Sequence, residues 1–274
     1  MELALWLLAV CLVTLYFLLC PGRFSDAQRQ MIQGVNHAHR GLHTKDKTIP
    51  ENSLPAFRAA VEAGYGIELD IQLSKDGEVV VFHDDTLDRV CGVHGRVDAF
   101  TLAELREMRL CGTEETIPLL TEVFGVMAGK TPMIIELKTG PRNDELCKKA
   151  LALMRAYSGP YCIESFDPRI VRWFKKNAPD ILRGQLADAP RSYGKGFRLR
   201  GLLMGCLFMN CLARPQFIAY GPGKKPWPAR LAEAMGALRV CWTVRPEDDV
   251  AAKEAENDAV IFEFYRPEPK YRRG

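Results

Sequence analysis

Five side chains in this sequence have the chemistry of a catalyst: His39, Glu68, Asp70, His83 and Glu136. Each stands where a short β-run ends or a tight turn returns. The segments are His39-Arg40-Gly41, Ile67-Glu68-Leu69-Asp70, Phe82-His83-Asp84 and Ile135-Glu136-Leu137-Lys138. Glu68, Asp70 and Glu136 offer only oxygen donors, with no Cys pair and no HExxH-type His pair nearby. Such a set favours one hard divalent cation, Mg2+ or Ca2+ with Mn2+ as a further candidate, over zinc. Imidazoles titrate near neutrality, so His39 and His83 can act as base on one side of a phosphorus centre and acid on the other. Arg40 brings a planar, permanently charged fork that matches phosphate oxygens. Gly41 beside it permits close backbone approach to a ligand. Lys138 lies two residues past Glu136 on the same face, where it can neutralise a second oxygen or pair with a ligand carboxylate. Trp242 can wall a small apolar or glycerol-like group, although core packing is an equally good use for an isolated aromatic.

Taken singly, every one of these residues has a structural use. Carboxylates at strand ends cap helices or pair with Lys and Arg, and strand histidines are commonly satisfied inside a core. Three carboxylates gathered in one place are different, because their repulsion is costly until a cation relieves it. The combination suits phosphate-ester cleavage. His37 shares the face of His39 at a deeper position and reads as a packing residue, and His94 falls in a loop.

The elements that must carry these groups alternate. Strand-like runs fall at 34–39, 66–73, 133–138, 161–165, 182–186, 216–220, 239–244 and 259–263. Helix-like stretches lie between them: 52–63 opening on an Asn52 cap, 120–127, 144–157, 168–177 and 228–236 each with Pro in the first turn where their sequences open on one, and 246–256. Residues 202–212 are apolar but too short to cross a bilayer, and read as a buried helix or loop. Eight parallel strands with intervening helices make a (β/α)8 TIM barrel, whose active sites lie at the C-terminal mouth of the strands. The Asp76-Gly77 pair predicts a two-residue hairpin turn that pairs Lys75 with Glu78 and sets Asp70 opposite His83. Glu68 and Asp70 share a face, so this hairpin folds an imidazole back over the carboxylates.

At 274 residues and 47% hydrophobic content, the chain can bury one large core. Its net charge of +3 comes from 37 basic and 34 acidic residues without long single-sign blocks, and there is no basic stripe of the kind nucleic acid requires. Lys270-Tyr271-Arg272-Arg273 reads as a solvated tail. Residues 3–20 form an uncharged run that would span roughly 27 Å as a helix, close to the hydrocarbon thickness of a bilayer. A retained anchor, a cleaved signal peptide and a buried core helix compete for it. No basic residue precedes it, no small-x-small site ends it and no polar face marks it, so the single-pass anchor is the reading taken. Arg23 and Arg29 follow the run while only Glu2 precedes it, which puts the barrel on the cytoplasmic side. Nine cysteines, an odd number without paired spacing, agree with a reducing compartment. The organisation expected is an anchor over 1–22 and a barrel domain over 34–267.

The ordered series His39-Arg40-Gly41, Pro50-Glu51-Asn52-Ser53 leading into Ala56-Phe57, Glu68-Leu69-Asp70, Lys75-Asp76-Gly77, His83-Asp84, Glu136-Leu137-Lys138, Ser165-Phe166 and Trp242-Thr243-Val244 resembles the glycerophosphodiester phosphodiesterase family, most closely its membrane-anchored bacterial branch. It covers about residues 34–267. Any one tripeptide is weak; the ordered series is specific. The resemblance implies one divalent cation held by Glu68, Asp70 and Glu136, catalytic histidines at His39 and His83, and phosphate contacts from Arg40 and Lys138. The activity it implies is hydrolysis of glycerophosphodiesters to sn-glycerol 3-phosphate and an alcohol. Two alternatives stand beside it: a lysophospholipase D-like enzyme on lysophospholipids in the membrane, and a membrane-tethered barrel that binds phosphodiesters without catalysis. The chain departs from the family in two places. The stretch between His83 and Leu120 is short, and the last strand ends Phe262-Glu263-Phe264 instead of the usual Thr-Asp pair.

Overall fold

The computed structural model describes residues 1–194 and 198–271. Its strands are β1 (Val35–Ala38), β2 (Gly66–Leu73), β3 (Val79–Val81), β4 (Met133–Leu137), β5 (Tyr161–Ser165), β6 (Arg183–Ala187), β7 (Phe217–Tyr220), β8 (Leu238–Val244) and β9 (Ala259–Phe262). Eight of them run parallel in the order β1-β9-β8-β7-β6-β5-β4-β2, and β1 pairs with β2 to close the ring. The (β/α)8 barrel is therefore present, with β3 antiparallel on the outer end of β2.

Barrel strands are covered on both faces, which is why they read as near-continuous apolar runs. Ile67, Leu69, Ile71, Ile135, Leu137 and Ile163 belong to the largest core cluster, together with residues of the surrounding helices. Ile134, Cys162, Phe217, Val240 and Ile261, with Ile32 from the entry segment, form the second cluster, which fills the barrel interior. Gly184 makes this packing possible: a Cβ there would come within 2.1 Å of the Phe217 ring.

The helices are α1 (Glu2–Leu19), α2 (Asp26–Arg29), α3 (Leu54–Glu62), α4 (Asp88–Cys91), α5 (Leu102–Arg106), α6 (Leu120–Met127), α7 (Asn143–Arg155), α8 (Pro168–Asn177), α9 (Arg198–Gly205), α10 (Asn210–Ala213), α11 (Trp227–Ala234) and α12 (Val250–Glu256). Asn52 does not cap α3. Ser53 does, its hydroxyl accepting from the Ala56 amide, and Asn52 sits at φ 53° with its side chain turned elsewhere. Likewise α12 begins at Val250, because Asp249 accepts from the Ala252 amide and leaves Pro246 in the preceding turn. The apolar stretch 202–212 breaks into the end of α9 and the start of α10, with Leu207 at φ 61° between them.

The hairpin register differs from expectation by one residue. The pairs are Ile71 with Val81, Gln72 with Val80 and Leu73 with Val79, so Phe82, not His83, faces Asp70 and donates its amide to the Asp70 carbonyl at 3.0 Å. The loop has three residues, Lys75-Asp76-Gly77, closed by the Gly77 amide on the Ser74 carbonyl at 3.0 Å with Gly77 at φ +85°. A type I turn followed by a left-handed glycine makes this three-residue loop, and Asp-Gly supplies it as readily as the two-residue one. His83 consequently leaves the ladder and stands in the loop after β3. The short stretch that follows is not bare: Phe82, Leu87, Val90, Val97, Leu105, Leu110 and Ile117 make a small cluster of their own beside the barrel.

Helix α1 is uncharged after Glu2 and exposed over almost all of its 18 residues, which removes the buried-core reading. Only its last turn is seated: Leu15, Leu18 and Leu19 pack against Leu207, Phe208, Ala229 and Ala232, and Arg214 lies 5.0 Å over the Phe17 ring. At the other end of the chain Lys270 pairs with Glu254 at 2.9 Å, while Arg272 and Arg273 of the expected tail lie outside the described residues.

Candidate active site

Strand alternation puts Glu68, Asp70 and Gln72 of β2 on one inward face, and parallel register sets Asp70 beside Glu136 of β4 and Glu136 beside Glu164 of β5. Glu68, Asp70 and Glu136 are buried and present carboxylate oxygens all within 4.8 Å of one another. A cavity of about 290 Å³ opens over them, lined by His39, Arg40, Glu68, His83, Glu136 and Trp242 among others. Six of the eight residues singled out in the sequence thus line one cavity, and Asp70 joins them through the carboxylate cluster; the eighth, Lys138, reaches in from the side, its Nζ 2.9 Å from Glu136 and 3.3 Å from Asp70.

The chain leaves β1 through a left-handed pair, Arg40 at φ 54° and Gly41 at φ 80°. That turn aims the Arg40 amide at the Glu68 carboxylate, 3.1 Å away, and brings its guanidinium to 3.5 Å from Asp70. A side chain at position 41 would collide with the Ala56 backbone at 2.8 Å, so the turn fits only glycine. Asn52, displaced from its expected cap, donates to Asp70 Oδ2 at 2.9 Å. Burial acts to raise the Asp70 carboxyl, but Lys138, His83, Arg40 and the Asn52 bond together hold it far below its usual range. Glu68 goes the other way. Burial, then the like charge of Asp70, Glu164 and Glu136, pushes it well above the usual carboxylate range. A cluster behaves this way when its negative charge exceeds the cations beside it. The all-oxygen donor set and this unrelieved charge fit a hard divalent ion.

The two histidines are held by different partners. His39 is 9% exposed, with Nδ1 3.4 Å from Glu263 and Nε2 3.9 Å from Glu68; burial lowers it to about 4, against the opposing Glu263 bond. Glu263 also accepts from His43 at 3.0 Å and from Arg245 at 2.7 Å, and these partners overcome burial to hold it ionised. His83 has its Nδ1 2.6 Å from Asp84. From Asp84 an ion-pair chain runs through Arg89 and Glu51 back to Arg40, each link between 2.6 and 2.7 Å. Gln72 donates to the carbonyls of Phe82 and Asp84 at 2.8 and 2.9 Å, clamping the backbone on either side of His83. Trp242 donates to the Ala219 carbonyl and meets the Phe166 ring edge-on at 5.4 Å.

Several of these residues escaped the sequence reading. Gln72 was within reach of it, being two past Asp70 on the same strand face. Glu164 was too, one residue before Ser165-Phe166; it is buried beside Glu136 and raised well above its usual range by desolvation and then by Glu136 and Asp70. Glu263, His43 and Arg245 come together only because β8, β9 and the turn after β1 are neighbours in the closed ring, which no local pattern announces.

Residues 39–266 match the model of the Glycerophosphoryl diester phosphodiesterase family. The chain belongs to that family. A glycerophosphodiester phosphodiesterase of Caldanaerobacter subterraneus subsp. tengcongensis is 39% identical over 163 residues, 54% of this chain and 65% of the relative. A human lysophospholipase D is 33% identical over 161 residues, 54% of this chain and 49% of the relative. These alignments span about half to two thirds of the curated relatives' lengths. Among solved structures, an Oleispira antarctica phosphodiesterase in complex with the product sn-glycerol-3-phosphate superposes with a TM-score of 0.70 at 24% identity, covering 85% of this chain and 94% of that one. That likeness supports the same fold.

Proposed function

We propose that this chain hydrolyses glycerophosphodiesters to sn-glycerol 3-phosphate and an alcohol, with one divalent cation, Mg2+ or Ca2+, held by Glu68, Asp70 and Glu136. The observation that carries this reading is the meeting of that carboxylate cluster and two imidazoles, brought by separate segments, in one cavity at the barrel mouth. When bound, such an ion supplies a Lewis acid for a phosphoryl oxygen and stabilises developing negative charge. Arg40 and Lys138 offer permanent positive charge to the remaining non-bridging oxygens. One of His39 and His83 takes the proton of the attacking water or substrate hydroxyl, and the other returns a proton to the departing alkoxide. Glu263 and Asp84 each hold one ring nitrogen and thereby fix ring orientation. Trp242 walls the glycerol side.

The test is release of glycerol 3-phosphate from glycerophosphocholine by the purified full chain with Mg2+ or Ca2+. Turnover that a chelator abolishes and added metal restores supports the reading; no release under any ion refutes it and leaves a barrel that binds without reacting.

Helix α1 is read here as a single-pass anchor, with the barrel on the cytoplasmic side from the placement of Arg23 and Arg29. One observation favours a second substrate reading, lysophospholipids drawn from the membrane: an exposed apolar helix of bilayer length has its end seated on the barrel itself. A relative is named for that activity.

A further inference from the structure

The end of α1 meets a face of the barrel where positive charge has no counterpart. Arg214 lies over the Phe17 ring, and its guanidinium donates to the Cys20 carbonyl at 2.8 Å. Gln216 donates to the Arg23 carbonyl at 2.8 Å, and the Gly22 amide donates to that of Pro215 at 2.9 Å. Arg183, the first residue of β6, reaches the Arg214 carbonyl at 3.1 Å. Lys175 of α8 reaches that of Leu212 at 3.3 Å, and Arg172 stands one turn earlier on the same helix. Among the described residues, none of Arg23, Arg172, Lys175, Arg183 and Arg214 forms an ion pair with a carboxylate.

Uncharged groups hold the two inner cations instead. Arg183 is 6% exposed and donates to the Gln216 side chain and to the carbonyls of Ala213 and Arg214; burial lowers it to about 10. Burial also lowers Lys175, and the charges of Arg214, Arg183 and Arg172 lower it further. Asp180, three residues before Arg183, gives both carboxylate oxygens to Arg155. Cations elsewhere on the molecule, such as Arg89, Arg142 and Arg239, have acidic partners. Like charges gathered in this way oppose one another, and an anion from outside the chain relieves them.

Two placements identify the source of that anion. The face adjoins the last turn of α1, where an exposed apolar helix of bilayer length ends and lipid headgroups begin. Arg214 touches both Phe17 and Cys20, so its guanidinium stands at the level where the apolar run gives way to Pro21-Gly22-Arg23. The second placement separates the face from the chemistry. Arg183 opens β6 and Arg214 comes three residues before β7, at the strand ends away from the catalytic cavity. Cations just past a membrane helix attract anionic lipid through the negative potential of the leaflet.

We infer that the face formed by the end of α1, α8 and α10 is a docking surface for anionic phospholipid headgroups, with Arg23, Arg172, Lys175 and Arg214 turned to the lipid phosphates and Arg183 adding its charge from beneath. The inference rests on the anchor reading of α1 and is independent of the phosphodiesterase reading. Helix α1 supplies insertion, and this face adds a preference for the charge of the leaflet.

The experiment titrates the full chain in detergent with phosphatidylglycerol, or with phosphatidylcholine of the same acyl chains, and reads bound lipid by native mass spectrometry. A chelator is present so that no lipid is cleaved. Phosphatidylglycerol should bind about tenfold tighter or more, and Arg172→Gln and Lys175→Gln should each weaken it by about fivefold without changing phosphatidylcholine binding. Raising the salt should erode the preference. Glycerophosphocholine turnover, with metal restored, should be unchanged in both variants. In the lipid-free chain the melting midpoint should hold in Arg172→Gln and hold or rise in Lys175→Gln, which relieves repulsion; residues serving only the fold would lower it, and that result would overturn the surface. Equal affinity for the two lipids, or a preference that survives the double variant, would overturn it while sparing the anchor. A chain washed out of phosphatidylcholine vesicles by alkaline carbonate would overturn the anchor reading and this inference together.

Discussion

His39 and His83 are held by separate carboxylates, Glu263 and Asp84, so each can be removed without disturbing the other's anchor. His39→Ala and His83→Ala should each lower turnover by about 10²- to 10⁴-fold with the melting midpoint nearly unmoved; full activity in either variant would sink its acid/base role. Gln72 is not among the residues that line the catalytic cavity, yet it fixes the carbonyls flanking His83. Gln72→Ala should reduce kcat by about 10²-fold or less, the scale of a small misplacement of a catalytic group, with KM for glycerophosphocholine largely preserved; a change in KM alone would mean that Gln72 does not position His83. At this scale the sequence was informative wherever strand alternation ruled. Glu68, Asp70 and Glu136 could be placed by counting in twos along β-runs. Asn52 could not, because its use depends on a left-handed turn at φ 53° that turns its amide away from the helix it precedes.

Among the elements, the β2–β3 hairpin shows most clearly what local chemistry leaves open. Asp76-Gly77 announces a turn, but both a two- and a three-residue loop accept glycine at positive φ, and the two differ by one register step. What selects the longer loop is the Ser74 hydroxyl, which accepts from the Glu78 amide at 2.8 Å and donates to Asp76 at 2.6 Å. Gly77 stands at φ +85°, so Gly77→Ala should cost roughly 1–2 kcal/mol and lower the melting midpoint by a few degrees in calorimetry. An unchanged midpoint would contradict the left-handed assignment at that residue. The strand set itself was legible to within a residue or two at most ends, since barrel strands are buried on both faces and stand out as apolar runs. The excursion of α9 and α10 was not. Its apolar residues are split between α9, a left-handed break at Leu207 and α10, with Leu207 and Phe208 packed against α1, so no single periodicity marks it.

For the molecule as a whole, the closed ring explains both the site and a liability. Eight strands bring residues as distant as His39 and Glu263 within bonding reach, and they also enclose His37, which burial pushes down to about 3, weakly opposed by nearby backbone carbonyls. A histidine depressed in the folded state binds its proton only on unfolding, so its contribution is intact above its ordinary value near 6.5 and is lost as pH falls below it, down to about 3. His37→Leu should therefore flatten the acid limb of stability by up to about 1.4 kcal/mol per pH unit between pH 6 and 4, measured by denaturant unfolding of the metal-free chain; a limb of unchanged slope would place the acid sensitivity elsewhere. The identity of the fold could be read from the alternation of strands and helices along the chain. The coupling of His39, His43 and Arg245 through Glu263 could not, because it exists only once the first and last strands pair.

The account turns on three carboxylates gathering around one ion, and calorimetric titration of the purified chain with Mg2+ or Ca2+ measures that directly. One site per chain is expected, lost in Asp70→Asn and Glu136→Gln while both variants remain folded by circular dichroism. An ion bound equally well by those variants, or no saturable binding to the native chain, would contradict it.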